Sequence, residues 1–202
     1  MNATLRLHAF IPFSRANGPG ARAVIWTQGC TLNCPGCFNP ETHSFNGGEE
    51  VAIDDLFRRL ESLDAAVEGI TISGGEPLQQ LRPLLALLRR VREETDLSVL
   101  VFTGYTWDEV RRMPEADALL ACVDALIAGR YDQAQRLARD LRGSANKTVH
   151  FLSERYTMDD LQSVAPAEVI ITAAGEVVIS GIDPVKWYTD LTDGDGSTRI
   201  NP

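Results

Sequence analysis

Residues 21–38 read ARAVIWTQGCTLNCPGCF, an apolar run that passes directly into a loop with three cysteines. The run at 21–27 has the length and the β-branched content of a buried strand. The loop carries Cys30, Cys34 and Cys37, with three and then two residues between them. In parallel α/β proteins, the loops after the carboxyl ends of the strands carry the functional groups. This stretch therefore predicts an α/β fold with its site at the end of an early strand.

Similar strand–helix units follow along the chain. Apolar runs predict further strands, and apolar residues at helical spacing predict helices between them. The strands are predicted at 69–72, 97–102, 123–127, 148–152, 169–171 and 176–180, and the helices at 53–63, 78–94, 106–113, 133–142 and 158–164. Thr106, with Glu109 three residues on, predicts a capping box at the start of one helix. Repeated units of this kind imply a parallel sheet with right-handed crossovers and outer helices.

The composition bounds the class of protein. With 202 residues, 44% of them hydrophobic, the chain suits one domain with a sizeable core. We expect that domain to span 1–187, including a short C-terminal extension from residue 152, and a flexible polar tail over 188–202. The net charge of −9 offers no basic stripe for phosphates, which argues against a nucleic-acid partner. No apolar run has the length of a membrane span and no signal peptide is evident, so we expect no membrane partner and a cytoplasmic location.

Polar loops that contain glycine follow four of the predicted strands. They are the cysteine loop, Ser73-Gly-Gly-Glu-Pro77, Thr103-Gly-Tyr105 and Gly129-Arg130. Because the carboxyl ends of parallel strands share one edge of the sheet, these loops should meet there. The sequence therefore predicts one composite site on this rim.

The spacing of the three cysteines suits an iron–sulfur cluster with an incomplete set of protein ligands. A cube has four irons, so three thiolates leave one iron open for a substrate or a cofactor. Residues 23–40 contain no charged side chain, and the small residues of the loop expose N–H groups that can bond to cluster sulfurs. The alternative is a structural zinc site with Cys122 or His43 as the fourth ligand. Zinc sites usually combine two Cys-x₂-Cys pairs, and only one such pair occurs here, so the spacing favours the cluster.

Together these motifs resemble the radical SAM superfamily, whose members use a cluster to cleave S-adenosylmethionine (SAM). Within that superfamily the chain resembles the activating enzymes of anaerobic ribonucleoside-triphosphate reductase and, more loosely, of pyruvate formate-lyase. The resemblance covers roughly residues 5–151 and is carried by Asn17-Gly-Pro-Gly20, the cysteine triplet with Cys34-Pro-Gly-Cys37-Phe38-Asn39, Ser73-Gly-Gly-Glu-Pro77, Thr103-Gly-Tyr105 and Arg142-Gly-Ser-Ala-Asn146. It implies a partial (β/α) barrel of the radical SAM type, with parallel strands and outer helices.

The resemblance also implies the chemistry. Cys30, Cys34 and Cys37 would ligate three irons of a [4Fe–4S] cluster, and SAM would chelate the fourth through its amino and carboxylate groups. A flavodoxin or ferredoxin-type reductant would supply one electron, which breaks the C5′–S bond of SAM. The resulting 5′-deoxyadenosyl radical would abstract hydrogen from the substrate, while the protein supplies position and excludes water.

The loop at 73–77 would receive the methionine end of SAM. Gly74 and Gly75 would allow close backbone approach to that end, although a double glycine can also serve only as a strand-to-helix turn. Glu76 would accept a hydrogen bond from the SAM ammonium group. Its alternative is the placement of a negative charge at a helix N-terminus.

The remaining residues implied at the cofactor lie on three loops. Gly36, Cys37 and Phe38 would lie against the adenine, and Phe38 could equally belong to the core. Thr103 would contact the ribose or the methionine, or serve as a capping hydroxyl. Arg130 would reach the SAM carboxylate, since arginine suits bidentate carboxylate recognition, or it would be a surface charge.

The substrate is open between two catalytic hypotheses. The first is an activating enzyme that abstracts hydrogen from a backbone glycine of a large partner and so creates a glycyl radical enzyme. The second is a stand-alone enzyme that modifies a small molecule or a peptide. Residues 152–187 favour the second hypothesis, because their predicted strands could close the barrel and narrow the site. A non-catalytic scaffold that holds zinc or a cluster makes little use of residues 74–77.

Overall fold

The computed structural model describes residues 3–171, 175, 177–182 and 199–200. The elements run in the order β1 (Thr4–Ser14), β2 (Arg22–Thr27), β3 (Glu49–Ala52), α1 (Ile53–Glu61), β4 (Gly69–Gly74), α2 (Leu81–Glu94), β5 (Ser98–Thr103), α3 (Trp107–Arg111), α4 (Ala116–Leu120), β6 (Ala125–Ala128), β7 (Arg136–Arg139), β8 (Arg142–Ser144), β9 (Thr148–Phe151), α5 (Met158–Gln162), β10 (Ala167–Ile171), β11 (Val177–Gly181) and β12 (Arg199–Ile200). The fold is mixed α/β. None of the helices in these residues is long and apolar enough to span a bilayer.

Seven strands form the main sheet in the order β3-β1-β2-β4-β5-β6-β9. The central strands β2, β4, β5 and β6 are parallel, as the strand–helix alternation predicts. The flanking strands β1, β3 and β9 are antiparallel to their neighbours, so the expectation of a wholly parallel sheet is wrong at both edges. A parallel neighbour needs a crossover connection over one face of the sheet, usually a helix. At these edges β1 joins β2 through residues 15–21, β3 follows the long cysteine loop, and β9 follows the hairpin of β7 and β8. None of these connections contains an α-helix, and the chain returns in the opposite direction.

The predicted helix at 133–142 is the source of the difference at one edge. This segment forms a 3₁₀ turn at Gln133–Gln135 and then the hairpin of β7 and β8. Ala138, Asp140 and Leu141 have positive φ angles, which an α-helix cannot accommodate. Because no helix crosses the sheet here, β9 returns antiparallel to β6.

The main sheet is open, with β3 and β9 at its edges. The strand pairing therefore does not show a barrel. The fold is a largely parallel open sheet with helices. One face of the sheet carries Ile70, Ile72, Val99 and Val101, which pack in one buried cluster with the apolar faces of α1 and α2. The leucines of α2 recur at helical spacing, so its buried face covers the sheet. The capping box predicted at Thr106 and Glu109 is present at the start of α3.

The opposite face of the sheet is partly covered by the C-terminal strands. Ile170 of β10 and Val178 of β11 pack against Val24 and Trp26 of β2. The strands β10, β11 and β12 form a sheet of their own, so the expectation that they extend and close the main sheet is wrong. Side chains hold the two sheets together: Asn17 Nδ2 donates to Ser180 Oγ at 2.8 Å.

The predicted polar tail at 188–202 falls mostly outside the described residues. Within it only Arg199 and Ile200 are described, and they pair in parallel with Val178 and Ile179. The flexibility of the tail remains a prediction.

Candidate functional site

One cavity lies where the loops after β2, β4 and β5 meet. Its lining includes most of the residues that the sequence singles out: Cys30, Cys34, Cys37, Phe38, Gly74, Gly75, Glu76 and Thr103. Gly36 and Arg130, which were also predicted at the cofactor, do not line it. The wall also includes Asn39 of the cysteine motif and His43, the alternative zinc ligand. Residues without a predicted role complete it, among them Trp26, Lys147, Gly181 and Ile182. The loops after β2, β4 and β5 therefore share one cavity, whereas Gly129 and Arg130 of the fourth predicted loop do not line it; the function of this cavity stays a prediction.

Backbone hydrogen bonds fix the start of the cysteine loop. Gly29 N donates to the Thr42 carbonyl at 2.7 Å, and Cys30 N donates to the His43 carbonyl at 3.1 Å. Further along, Thr31 N donates to Gln79 Oε1 at 3.1 Å. The loop thus enters the site held by neutral groups.

The three thiols of the cysteine loop are free and partly exposed to the cavity. Burial is the main cause that raises the pKa of the Cys30 and Cys37 thiols above its ordinary value. Ligation of a metal by these thiols would release their protons. Cys122 packs in the core beneath the helices, away from the cavity.

The zinc alternative can be compared with the arrangement of the side chains. The described part of the chain contains no group of three or more His, Cys, Asp or Glu placed to surround a single metal ion. His43 lines the cavity, whereas Cys122 does not. The described residues therefore give no support to the zinc alternative.

Two buried polar atoms of the cavity wall have no hydrogen-bond partner. Trp26 Nε1 lacks an acceptor and Asn39 Oδ1 lacks a donor. An unsatisfied buried polar atom costs roughly 1–3 kcal/mol, so such atoms usually mark the place of a bound group. A ligand that carries both acceptors and donors, as SAM does, fits this wall.

The two glycines after β4 make contact with the strand and loop of the cysteines. A Cβ on Gly74 would lie 2.4 Å from the Thr27 nitrogen, and one on Gly75 would lie 2.4 Å from the Gly29 oxygen. Gly75 N also donates to the Thr27 carbonyl at 2.8 Å. The described contacts of these glycines are therefore with the chain itself, while both residues still line the cavity. Their approach to SAM stays a prediction.

Glu76 is buried and its carboxylate is occupied on both oxygens. Oε1 accepts from Leu78 N at 2.9 Å and from Thr103 Oγ1 at 2.8 Å, and Oε2 accepts from Gly104 N at 2.7 Å. Burial raises the pKa of the Glu76 carboxyl, against the lowering effect of these bonds. The contacts match the capping alternatives for Glu76 and Thr103, because they join the turn after β4 to the end of β5. A contact of either residue with SAM stays a prediction.

Arg130 is engaged outside the cavity. Its Nη2 donates to Glu109 Oε1 at 3.0 Å, and a second bond joins Nη1 to Glu109 Oε2. The hydrogen bonds from Arg130 are the main cause that lowers the pKa of Glu109 to about 2. The expected reach of Arg130 to the SAM carboxylate has no counterpart in this arrangement, which matches the surface-charge alternative.

Phe38 lies in an aromatic corner of the cavity. Its ring centroid is 4.6 Å from that of Tyr131, and the guanidinium carbon of Arg136 lies 4.9 Å from the Phe38 ring centroid. Gly36 has a φ of +70° and a Cβ there would lie 2.7 Å from Gln133 Oε1, so a tight turn requires glycine at this position. The adenine contacts of Gly36, Cys37 and Phe38 remain predictions.

Lys147 is the charged residue of the cavity that the sequence analysis missed. Its side chain lines the cavity, and Nζ donates to the Gly129 carbonyl. The residue directly follows Asn146 and precedes β9, and a lone lysine at the start of a strand carries no motif. The one feature of the sequence that could have indicated Lys147 is its place directly after the Arg142–Asn146 element.

Comparison with known proteins gives a family and relatives. The family model described as "4Fe-4S single cluster domain" matches residues 16–150. The anaerobic ribonucleoside-triphosphate reductase-activating protein of Haemophilus influenzae is 34% identical over 148 residues, which are 70% of this chain and 94% of that protein. The pyruvate formate-lyase-activating enzyme of Clostridium pasteurianum is 34% identical over 104 residues, 50% of this chain and 44% of that enzyme.

One solved structure with some likeness is that of QueE from Escherichia coli. It has a TM-score of 0.45 and 16% sequence identity, and the match covers 51% of this chain and 53% of that one. At that level of likeness, the fold rests on the strand order of the chain itself.

Proposed function

This chain belongs to the 4Fe-4S single cluster domain family and, within the radical SAM superfamily, to the anaerobic ribonucleoside-triphosphate reductase-activating proteins, and from that premise we propose that it activates a glycyl radical enzyme. The membership predicted from the motifs is confirmed, and the chain is an enzyme. We propose that it holds a [4Fe–4S] cluster, binds SAM and takes hydrogen from a backbone glycine of its partner.

The convergence of three free thiols on one cavity carries this proposal. Cys30, Cys34 and Cys37 line the cavity together with the Gly74–Glu76 turn. The proposed roles of these cysteines are ligation of three irons, which leaves one iron open. The unpartnered Trp26 Nε1 and Asn39 Oδ1 support the binding of a polar organic cofactor at the same wall.

In this proposal the residues of the chain bind and orient the cluster and SAM and shield them from water. A bound cluster and SAM supply one-electron cleavage and the radical that takes hydrogen. Gly74 and Gly75 hold the cysteine loop against the turn, and Glu76 fixes that turn to the end of β5. Phe38 offers an apolar ring for the adenine, beside Tyr131.

The parallel pairing of the four central strands supports a finer proposal for the fold. We propose that β2, β4, β5 and β6 act as a partial barrel, with the cluster at the carboxyl ends of these strands. A one-electron carrier protein such as a flavodoxin or a ferredoxin is the proposed reductant, and the cytoplasm is the proposed location. The relatives are named as activating proteins of anaerobic ribonucleoside-triphosphate reductase, and the proposed partner of this chain is a reductase of that class.

The C-terminal strands favour a second candidate function. Gly181 and Ile182 form part of the cavity wall, although the matched family model ends at residue 150. A wall supplied by this added segment narrows the site from one side. A stand-alone enzyme that modifies a small molecule or a peptide is the function that such a wall suits.

The test of the cluster compares single cysteine variants. After anaerobic reconstitution, the wild type should contain about four iron and four sulfide per chain. Cys30→Ala, Cys34→Ala and Cys37→Ala should lose most of the iron, whereas Cys122→Ala, buried in the core, should retain it. If the reconstituted wild type contains zinc and no sulfide, the assignment of a [4Fe–4S] cluster is wrong.

The test of the substrate uses the reconstituted wild type with SAM, dithionite and an anaerobic ribonucleotide reductase. A glycyl radical doublet in the EPR spectrum of the partner supports activation. Formation of 5′-deoxyadenosine without that doublet, in the presence of a partner that another activating enzyme does activate, moves the assignment to the second candidate function. The absence of 5′-deoxyadenosine despite an intact cluster contradicts SAM cleavage.

A further inference from the structure

Lys147 lies on the rim of the sheet beside the cysteine loop. It directly precedes β9, and its Nζ donates to the carbonyl of Gly129, the residue that follows β6. These two neighbouring strands therefore set the position of the ammonium group. Its side chain forms part of the wall that also contains Cys34 and Cys37.

The ammonium group of Lys147 has no carboxylate partner among the described residues. No ion pair of that part of the chain includes it, and the oxygens of the nearby Glu76 are occupied by Leu78, Thr103 and Gly104. A lysine ammonium has three donors, and the carbonyl of Gly129 accepts one. Burial lowers the pKa of Lys147, whereas the charges of Cys34, Glu76 and Cys37 raise it. Lys147 is half-buried and makes no ion pair in the described residues, so its ammonium group is placed to face an anionic group in the cavity that it lines.

The proposed cluster supplies that anionic group. Three thiolates outweigh the double positive charge of an oxidised [4Fe–4S] cube, so the assembly is anionic and becomes more so when it accepts an electron. Cys34 and Cys37, two of the proposed iron ligands, line the same cavity as Lys147. A fixed cation on that side stabilises the reduced form more than the oxidised form, because the reduced form carries the larger negative charge.

We propose that Lys147 is a positioning residue that raises the reduction potential of the cluster. The inference rests on the proposed function, since it requires the cluster. In this step one electron passes from the external one-electron reductant to the cluster, so the reductant is oxidised and the cluster is reduced. No bond forms or breaks, and the charge of Lys147 offsets the added negative charge.

The test is an EPR-monitored redox titration of the reconstituted protein without SAM. In Lys147→Met the ratio of reduced to oxidised cluster at a fixed potential should fall by about tenfold, which equals a midpoint about 59 mV lower for one electron. Lys147→Arg keeps the charge and should titrate close to the wild type. Arg58→Met removes an exposed cation from α1 and is the matched control, with no shift expected.

Each outcome of the titration bears on a different statement. A Lys147→Met cluster with the midpoint of the wild type and full iron content overturns the inference and leaves the proposed function intact. A wild type without a cluster contradicts the proposed function. Where Lys147→Met fails to retain iron, Lys147→Gln is titrated, because its amide can still donate to the Gly129 carbonyl. An unshifted midpoint in that variant overturns the inference equally.

Discussion

Replacing Gly75 by alanine tests whether the double glycine joins the two loops of the site or serves the cofactor alone. A Cβ at this position would lie 2.4 Å from the Gly29 carbonyl oxygen and 3.0 Å from the Thr42 carbonyl oxygen. Both neighbours are backbone atoms, which cannot rotate away as a side chain can. The turn after β4 and the cysteine loop would have to separate.

The magnitude follows from the contacts that this separation disturbs. Ordinary contact begins near 3.4 Å, so the Gly29 oxygen is about 1 Å too close. Overpacking of this kind costs roughly 1–3 kcal/mol. The hydrogen bonds from Gly75 N to the Thr27 carbonyl and from Glu76 N to the Gly29 carbonyl would lengthen, at about 0.5–1 kcal/mol each. We expect Gly75→Ala to lower the free energy of unfolding by about 2–5 kcal/mol.

The assay is urea unfolding of the cluster-free protein without SAM, followed by circular dichroism. With a slope of about 2 kcal/mol per molar urea, the midpoint should fall by roughly 1–2.5 M. Gly47→Ala is the control, because its Cβ would meet the terminal amide of Gln28 at 3.0 Å, and a side chain can shift by that little. If the midpoint of Gly75→Ala is unchanged while SAM binding is lost, the reasoning is refuted, and Gly75 is needed for the cofactor and not for joining the two loops.

Three further predictions concern the surroundings of the site. Thr106→Ala removes the capping box of α3 and should lower the free energy of unfolding by about 1 kcal/mol, measured in the same urea assay; no loss would contradict the cap. In NMR titrations the pKa of the Glu109 carboxyl should be about 2, and in Arg130→Gln it should move toward its ordinary value of 4.5. The small stabilisation from the Arg130–Glu109 pair is therefore present above pH 4.5 and is lost as the pH falls toward 2. Asp124→Ala should cost roughly 3 kcal/mol, because the buried carboxylate accepts from Val99 N at 2.7 Å and pairs with Arg92 at 3.2 Å, and a loss below about 1 kcal/mol would contradict this.

The central strands and the site at their ends follow from local sequence. Each of the runs before residues 28, 75 and 104 is apolar and short, and parallel strands place the loops that follow them on one rim. Where the chain turns back is less evident, because strand direction depends on contacts distant in sequence. β1 escaped prediction, since Pro12 interrupts its pattern, and the 133–142 segment reads as a helix although it forms a hairpin.

The roles of single side chains depend on partners that no motif records. Arg130 comes shortly after β6, so its place in the sequence predicts a position on the rim. In the structure, Glu109 of α3 holds it outside the cavity. Glu76 has the expected place, yet Thr103 and the backbone after it occupy its oxygens. Lys147 enters the cavity because β9 returns beside β6, a pairing that connects residues distant in sequence.

The separate C-terminal sheet gives the chain two parts that can evolve at different rates. β10 to β12 share no strand ladder with the main sheet, and in the described residues side chains provide the attachment. No hydrogen-bond register has to be kept between the two layers, so substitutions in one need not shift the other. Gly181 and Ile182 can thus be altered by selection, or exchanged as a cassette by a protein engineer, while the cysteine loop is left as it is. Swapping this segment between homologues would be a direct way to redirect a conserved radical chemistry to new substrates.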